Sequence, residues 1–320
     1  MRVGVVVAVA GMPLRRCLDL TTRAEDAGCD TVAAGEATYD SFAVAALMAT
    51  STKRARLMTT VTTWVRPPLA TATGAVTVAE LAEGRFALGL GSMPEAWNRN
   101  HYGIDPSHPA ARMREYVECV RGAAGASVEC PFNYDGRFFQ VRDYARTWPP
   151  VPPIPVHLAA TRPRMAQLAG EVADGVLFNV IHTMGWLHDV LEPAVSDGER
   201  RAGSGRIERG VMVRVVAHEP GRRDQALIQA RAAVAPYFAV PYLADVLGHH
   251  GWSPEAASGR ALEELVLIGT VSELATRLES YRGLVDWVLL TPTRMLPSQD
   301  MDAWYDAVFG GLIPLLRAAA

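Results

Sequence analysis

The feature that most constrains this chain is an alternation. Apolar, strand-like runs give way to amphipathic, helix-like segments again and again, from VGVVVAVA near the start through CDTVAAGE, ARLMTTVTT, RFALGLG, IPVHLAA, DGVLFNV and GVMVRVVAHE to VDWVLLTP. The segments between them, such as LRRCLDLTTRAEDAG, SFAVAALMATST and RPRMAQLAGEVA, carry apolar residues at helical spacing. Strands that are apolar at successive positions are buried on both faces, which is the condition of a parallel sheet covered by helices. An open doubly wound sheet and a closed barrel both meet it. Eight alternations in 320 residues, with no shift of composition to mark a second domain, favour an α/β fold of the (β/α)8 TIM-barrel type with insertions, spanning 1–320 as one domain.

Two interruptions stand out. FNYDGRFF, Phe132 to Phe139, places Asp135-Gly136 between aromatic residues and reads as a short hairpin, and WPPVPPIP after it reads as an extended approach to the fifth strand. The stretch from about Pro241 to Glu264, with Tyr242, His249, His250 and Trp252, is an insertion before the last strand and is expected to act as a lid over the barrel mouth.

Composition excludes several functions. A formal net charge of −3 lacks the basic excess that a phosphate backbone requires, so no nucleic-acid partner is expected. Lys53 is the single lysine and lies between a helix and a strand, which argues against a Schiff-base enzyme and against a P-loop. The four cysteines, Cys17, Cys29, Cys119 and Cys130, have no Cys-x-x-Cys pair or partnered histidine spacing; they read as reduced, and no metal site is expected. The run MRVGVVVAVAGMP reads as a buried first strand, and no later stretch is long enough to span a bilayer, so a cytoplasmic protein without a membrane partner is expected.

RFALGLGSM ends a strand in Gly-Leu-Gly. Gly89 and Gly91 are followed by Ser92, Met93 and Pro94, not by the third glycine of a dinucleotide loop. Two readings remain for these glycines, a flat ligand lying against bare backbone and tight packing inside the barrel.

Taken in order, EGRFALGLGSMPEAWNRNHYGID, MREYVECVRG, FNYDGRFFQV, AATRPRMAQLAGEVADGVLFN and LIGTVSELATRL make a series that resembles the luciferase-like monooxygenase superfamily, in particular its coenzyme F420-dependent oxidoreductases. The resemblance implies a bacterial luciferase-like barrel with a flavin or deazaflavin across the carboxyl ends of the strands. It implies ring contacts from Thr62, Thr63, Gly91 and Ser92, with a distortion of the third strand near Val61 to Thr63; ordinary strand filling is the other reading of the threonines. It also implies a phosphate site at Ala159, Ala160, Thr161 and Arg162, with Thr161 as helix cap, and with Gly175 and Val176 nearby. The family pattern often has glycine where Arg162 stands. Glu36, Glu95 and His182 are the candidate acids and bases, with a solvated loop as the alternative for each carboxylate.

The activity implied is hydride transfer between coenzyme F420 and a small organic substrate. The alternatives are an FMN-dependent monooxygenase fed by a separate flavin reductase and a flavin-binding barrel without turnover. The resemblance also implies a homodimer.

Overall fold

The computed structural model describes residues 1–8, 11–36, 39–147, 152–252, 260–292 and 298–318. Eight strands form its centre: β1 (Arg2–Ala8), β2 (Thr31–Ala34), β3 (Arg56–Thr59, continued by Thr62–Thr63), β4 (Phe86–Gly91), β5 (Val156–Ala160), β6 (Gly175–Phe178), β7 (Glu208–Ala217) and β8 (Trp287–Thr291). Each is hydrogen-bonded in parallel to its successor, and β8 pairs with β1, so the sheet closes into the expected (β/α)8 barrel. A short strand, Leu267–Gly269, adds to the far end of β7.

Register decides which side chains enter the barrel. Partners in a ladder point to the same face, and successive residues alternate between faces. The pairs Met58↔Ala87 and Gly210↔Trp287 therefore face inward, whereas Leu57↔Phe86 and Val211↔Val288 face the helices. Val6, Ala33, Met58, Ala87, Leu177, Trp287 and Leu289 make one buried interior cluster. Trp287 is a fully buried side chain, and its ring occupies the space left by Gly210, where an added Cβ would lie 2.0 Å from ring carbon Cζ2.

The amino end of the barrel is closed by charge. Glu208 at the start of β7 accepts from Arg56 at 2.8 Å and from Arg2, and lies 3.1 Å from Nε2 of His157. Burial holds the His157 imidazole below its ordinary pKa, so the ring is neutral and the arginines balance the carboxylate. Burial alone would raise the Glu208 carboxyl, but hydrogen bonds from His157, Arg56 and Arg2 outweigh it and keep that carboxyl well below the usual range.

The hairpin forms from Phe132–Asp135 and Gln140–Tyr144. Its loop is held by the Glu115 carboxylate, which accepts from the N–H groups of Arg137, Phe138 and Phe139 at 3.0, 2.8 and 3.2 Å. Helix Glu95–Tyr102 had no counterpart in the periodicity, because Asn98 is its single buried residue and it has no apolar stripe. The 241–264 insertion contains helices Pro241–His249 and Arg260–Leu265; residues 253–259, like Trp148 to Val151 of the proline-rich approach, lie outside the described residues. Cys17, Cys29 and Cys119 are buried, Cys130 is exposed, and all four are free thiols.

Gly210→Ala should lower the free energy of unfolding by about 1–3 kcal/mol through overpacking against Trp287. Gly205→Ala, at an open position, should leave it unchanged; urea denaturation of the two variants beside the parent checks this.

Candidate functional site at the carboxyl end of the barrel

Carried to the carboxyl ends of the strands, the inward register divides the mouth in two. Gly35, Gly91 and Ala159, beyond or at the ends of β2, β4 and β5, give small residues on one side. Asn179, Arg214 and Thr291, on or just beyond β6, β7 and β8, give polar ones on the other. Ala159, Asn179 and Met212 face inward and are half-exposed, so solvent enters the barrel at this end.

The third strand is distorted where expected. The Thr60–Val61 peptide is cis, and Val61 lies over Gly91, where an added Cβ would be 2.5 Å from its Cγ2. Gly89 is also taken by β3: the Thr59 hydroxyl donates to the Gly89 carbonyl at 2.9 Å and lies 3.0 Å from its N–H, and a Cβ would meet the Thr59 carbonyl oxygen at 2.0 Å. The Gly-Leu-Gly ending is thus used for close packing against β3, and the surface turned to the mouth there is the half-exposed side chain of Val61, seated on the interior cluster.

The two predicted threonines differ. The Thr62 hydroxyl is buried 2.9 Å from that of Ser41 and is satisfied. Thr63 Oγ1 is buried with no hydrogen-bond partner among the described residues, as is Thr60 Oγ1. Ser92 is half-buried, and its loop is fixed by Asn98, which is fully buried. The Asn98 amide donates to the carbonyls of Ser92, Met93 and Pro94 at 2.9, 3.2 and 3.1 Å and accepts from Trp64 Nε1 at 2.8 Å. Sequence reasoning passed over this residue, which joins the β3 extension to the β4 loop.

Of the acid–base candidates, Glu36 reaches the mouth. Its carboxylate accepts from the Thr63 N–H at 3.1 Å and from Arg66 Nε at 2.8 Å, so it braces β3 against the end of β2. Glu95 does not join it: its side chain is 71% exposed and paired with Arg99 on its own helix at 3.1 Å. His182 is buried, with Nδ1 2.8 Å from the Asn179 carbonyl and Nε2 2.9 Å from the Tyr281 hydroxyl. A carbonyl only accepts, so Nδ1 carries the proton and Nε2 accepts from Tyr281. Burial lowers this imidazole to about 4, so it is a neutral internal link between β6 and the segment before β8.

On the β5 side, Ala160 is buried, and Thr161 is half-buried with its carbonyl accepting from Trp186 Nε1 at 3.3 Å. Thr161 is not the helix cap: the residue preceding helix Pro163–Val172 is Arg162, whose guanidinium has no acceptor with which to cap the helix N–H groups and instead donates to Asp245 on helix Pro241–His249 at 2.7 Å. His250 beyond that helix is 2.7 Å from the Thr183 hydroxyl, and Tyr242 donates to Asn179 Oδ1 at 3.4 Å, so these contacts tie the insertion to the segments that follow β5 and β6.

Gly175 and Val176 do not join the mouth. They begin β6 at the opposite end, where Gly175 faces the His157 ring and Val176 is buried toward the helices; counting along β6 from there brings Asn179 to the mouth instead. Among the described residues no cluster of His, Cys, Asp and Glu could hold a metal ion, and no helix is long and apolar enough to cross a membrane.

The fold and its furnished mouth define a barrel enzyme, and comparison with known proteins gives its family. The luciferase-like monooxygenase model matches residues 1–286, and the chain belongs to that family of oxidoreductases. It is similar to an uncharacterised protein of Mycobacterium tuberculosis, 29% identical over 316 residues, covering 90% of this chain and 92% of that protein. It is also similar to the F420-dependent glucose-6-phosphate dehydrogenase of Beutenbergia cavernae, 29% identical over 240 residues and covering 69% of each chain. Among solved structures, an F420-dependent secondary alcohol dehydrogenase in complex with an F420-acetone adduct superposes with a TM-score of 0.80 at 18% identity over 99% of both chains.

The buried link gives two checks. Tyr281→Phe strands the Nε2 acceptor of His182 and should destabilise the fold by about 1–3 kcal/mol in urea denaturation at neutral pH. Because the folded pKa of His182 is depressed, its stabilising effect is complete above the unfolded value near 6.5 and is lost as pH falls toward 4. The parent should therefore lose about 2 kcal/mol between pH 7 and pH 5 that His182→Gln does not lose.

Proposed function

We propose that the chain binds coenzyme F420 across the carboxyl end of the barrel and moves a hydride between it and a small organic substrate. The observation that carries this reading is the Val61 platform on the small-residue side of the mouth, with the unpartnered hydroxyls of Thr60 and Thr63 beside it. A flat conjugated ring with polar edges fits such a surface: Val61 meets its face, and the hydroxyls donate to or accept from its rim. The Beutenbergia relative, named as F420-dependent, supports the choice of cofactor.

When bound, the deazaflavin supplies the hydride chemistry at C5, and the protein supplies position. Ser92 lines the ring edge from the loop that Asn98 holds. Ala159, Ala160 and Thr161 lead to the amino end of helix Pro163–Val172, where the Arg164 N–H would receive the cofactor phosphate, and Arg162 would add its charge once Asp245 yields it. Glu36 is a positioning residue: it holds the Thr63 backbone so that the threonine hydroxyl faces the ring. A protein supplying only a binding pocket is disfavoured by the family. FMN fits the same platform and would bring oxygen chemistry and a reductase partner, so the two cofactors are tested side by side.

Fluorescence titration of the apoprotein with F420 and with FMN is the test. F420 should bind at least tenfold more tightly, and Thr63→Val should weaken it about three- to tenfold, the worth of one hydrogen bond. Tight FMN binding with no F420 binding would overturn the assignment.

A further inference from the structure

The two buried arginines of β7 differ in a way that points to a ligand. Arg209 faces the helices, is 1% exposed, and is neutralised by Glu192 at 2.9 Å and by Glu199. Arg214 has the opposite parity. Its backbone partner is Thr291, and in the inward series Gly210, Met212, Arg214 it occupies the mouth. It is 3% exposed, yet its partners are neutral: the Ala233 carbonyl at 3.1 Å and the Tyr237 hydroxyl at 3.0 Å, with the guanidinium carbon 5.0 Å from the Tyr237 ring centre. Among the described residues no carboxylate lies within 4.0 Å of it, and its Nε is buried without a hydrogen-bond partner.

A guanidinium taken out of water without a counter-ion is costly, and buried charges are ordinarily paired. The helix-terminal carbonyl of Ala233 supplies a partial negative charge, which offsets only part of the cost. Position adds to the argument. In the strand order β8-β1-β2-β3-β4-β5-β6-β7, β7 stands opposite β3, so Arg214 is across the mouth from Val61. A ring resting on Val61 turns its other face toward β7, and the half-exposed Met212 below Arg214 shows that solvent reaches this wall. Two of the five N–H groups are committed, to Ala233 and Tyr237, and Nε–H is among the three that are not; a carboxylate is the group that such a planar fork matches.

We propose that Arg214 is the substrate-recognition residue of this site and that the substrate carries a carboxylate, held by the guanidinium on the side of the mouth facing the cofactor ring. The inference rests on the reading that the mouth is the reaction site, and it adds the chemical class of what is bound there.

The test uses the full-length apoprotein and calorimetric titration with benzoate and with benzamide, its neutral isostere, at matched ionic strength. Benzoate should bind at least about tenfold more tightly than benzamide, the scale of a charge-assisted hydrogen bond. Arg214→Gln should reduce the preference to within about twofold, and Arg214→Lys, which keeps charge without the fork, should retain part of it. Circular dichroism and the F420 affinity of each variant establish that the barrel and cofactor site are intact. Equal binding of the two probes by the parent, or a benzoate preference that survives in a folded Arg214→Gln, would overturn the proposal. If Arg214→Gln does not fold, the folded Arg214→Lys decides: an undiminished preference counts against the fork. Failure of F420 to bind the parent would defeat the cofactor reading, whereas a benzoate result of either kind bears on Arg214 alone.

Discussion

Closure of the barrel is the constraint on which the rest depends. Once β8 pairs with both β1 and β7, every strand has two neighbours, and no register can slip by one residue without turning its inward side chains outward. The interior must then be filled by one fixed set of residues. Trp287 fills much of it, and it can do so because Gly210 stands beside it. Higher up, the same rule puts Gly89 and Gly91 under the β3 distortion, so packing inside the closed sheet is what lifts Val61 to the mouth.

This explains which parts of the site were legible in the sequence. Strand apolarity and its repetition are local properties, and they led to eight strands and a closed barrel; the hairpin in Phe132 to Phe139 was readable as well, and the distortion of β3 was implied by the family resemblance. Parity at strand ends is not local. Gly175 and Val176 were associated with the phosphate site because they belong to a recognisable motif, but the motif starts the strand, and the mouth is reached only at Asn179. Counting in twos from Gly175, through Leu177, would have found it. Arg214 was hidden in GVMVRVVAHE for the same reason: one arginine inside an apolar strand has no local signature of which way it points.

Long-range hydrogen bonds were the other blind spot. Thr161 has the residue type of a helix cap, and the helix nonetheless starts after Arg162, whose guanidinium is drawn to Asp245 some eighty residues away in sequence. Asn98 sits in a short helix with no apolar stripe, yet three carbonyls and an indole N–H converge on it. Glu36 and Glu95 are alike as carboxylates in sequence. They part company because Arg66 and the Thr63 N–H meet one, while the other meets only Arg99 one turn along an exposed helix.

The two ends of the barrel treat buried polar groups differently, and the difference bears on function. At the amino end, Glu208, Arg56 and Arg2 balance one another, and the unpartnered His157 Nδ1 and Trp287 Nε1 lie on rings 5.6 Å apart, each ring at most 2% exposed. No ligand reaches them, and their cost is borne as part of a sealed core. At the carboxyl end, Thr60 Oγ1, Thr63 Oγ1 and Arg214 Nε also have no partner among the described residues, but half-exposed Val61, Ala159, Asn179 and Met212 stand among them. Donors and acceptors left open beside a solvent-entered cavity can be satisfied by whatever enters it, and binding then recovers the desolvation already incurred in folding. The two hydroxyls and the guanidinium belong to opposite walls, β3 and β7, which separates a neutral wall from a cationic one. On the readings proposed above, such a site would sort a flat cofactor and an anionic substrate to opposite sides of one mouth, the arrangement that a direct transfer between them requires.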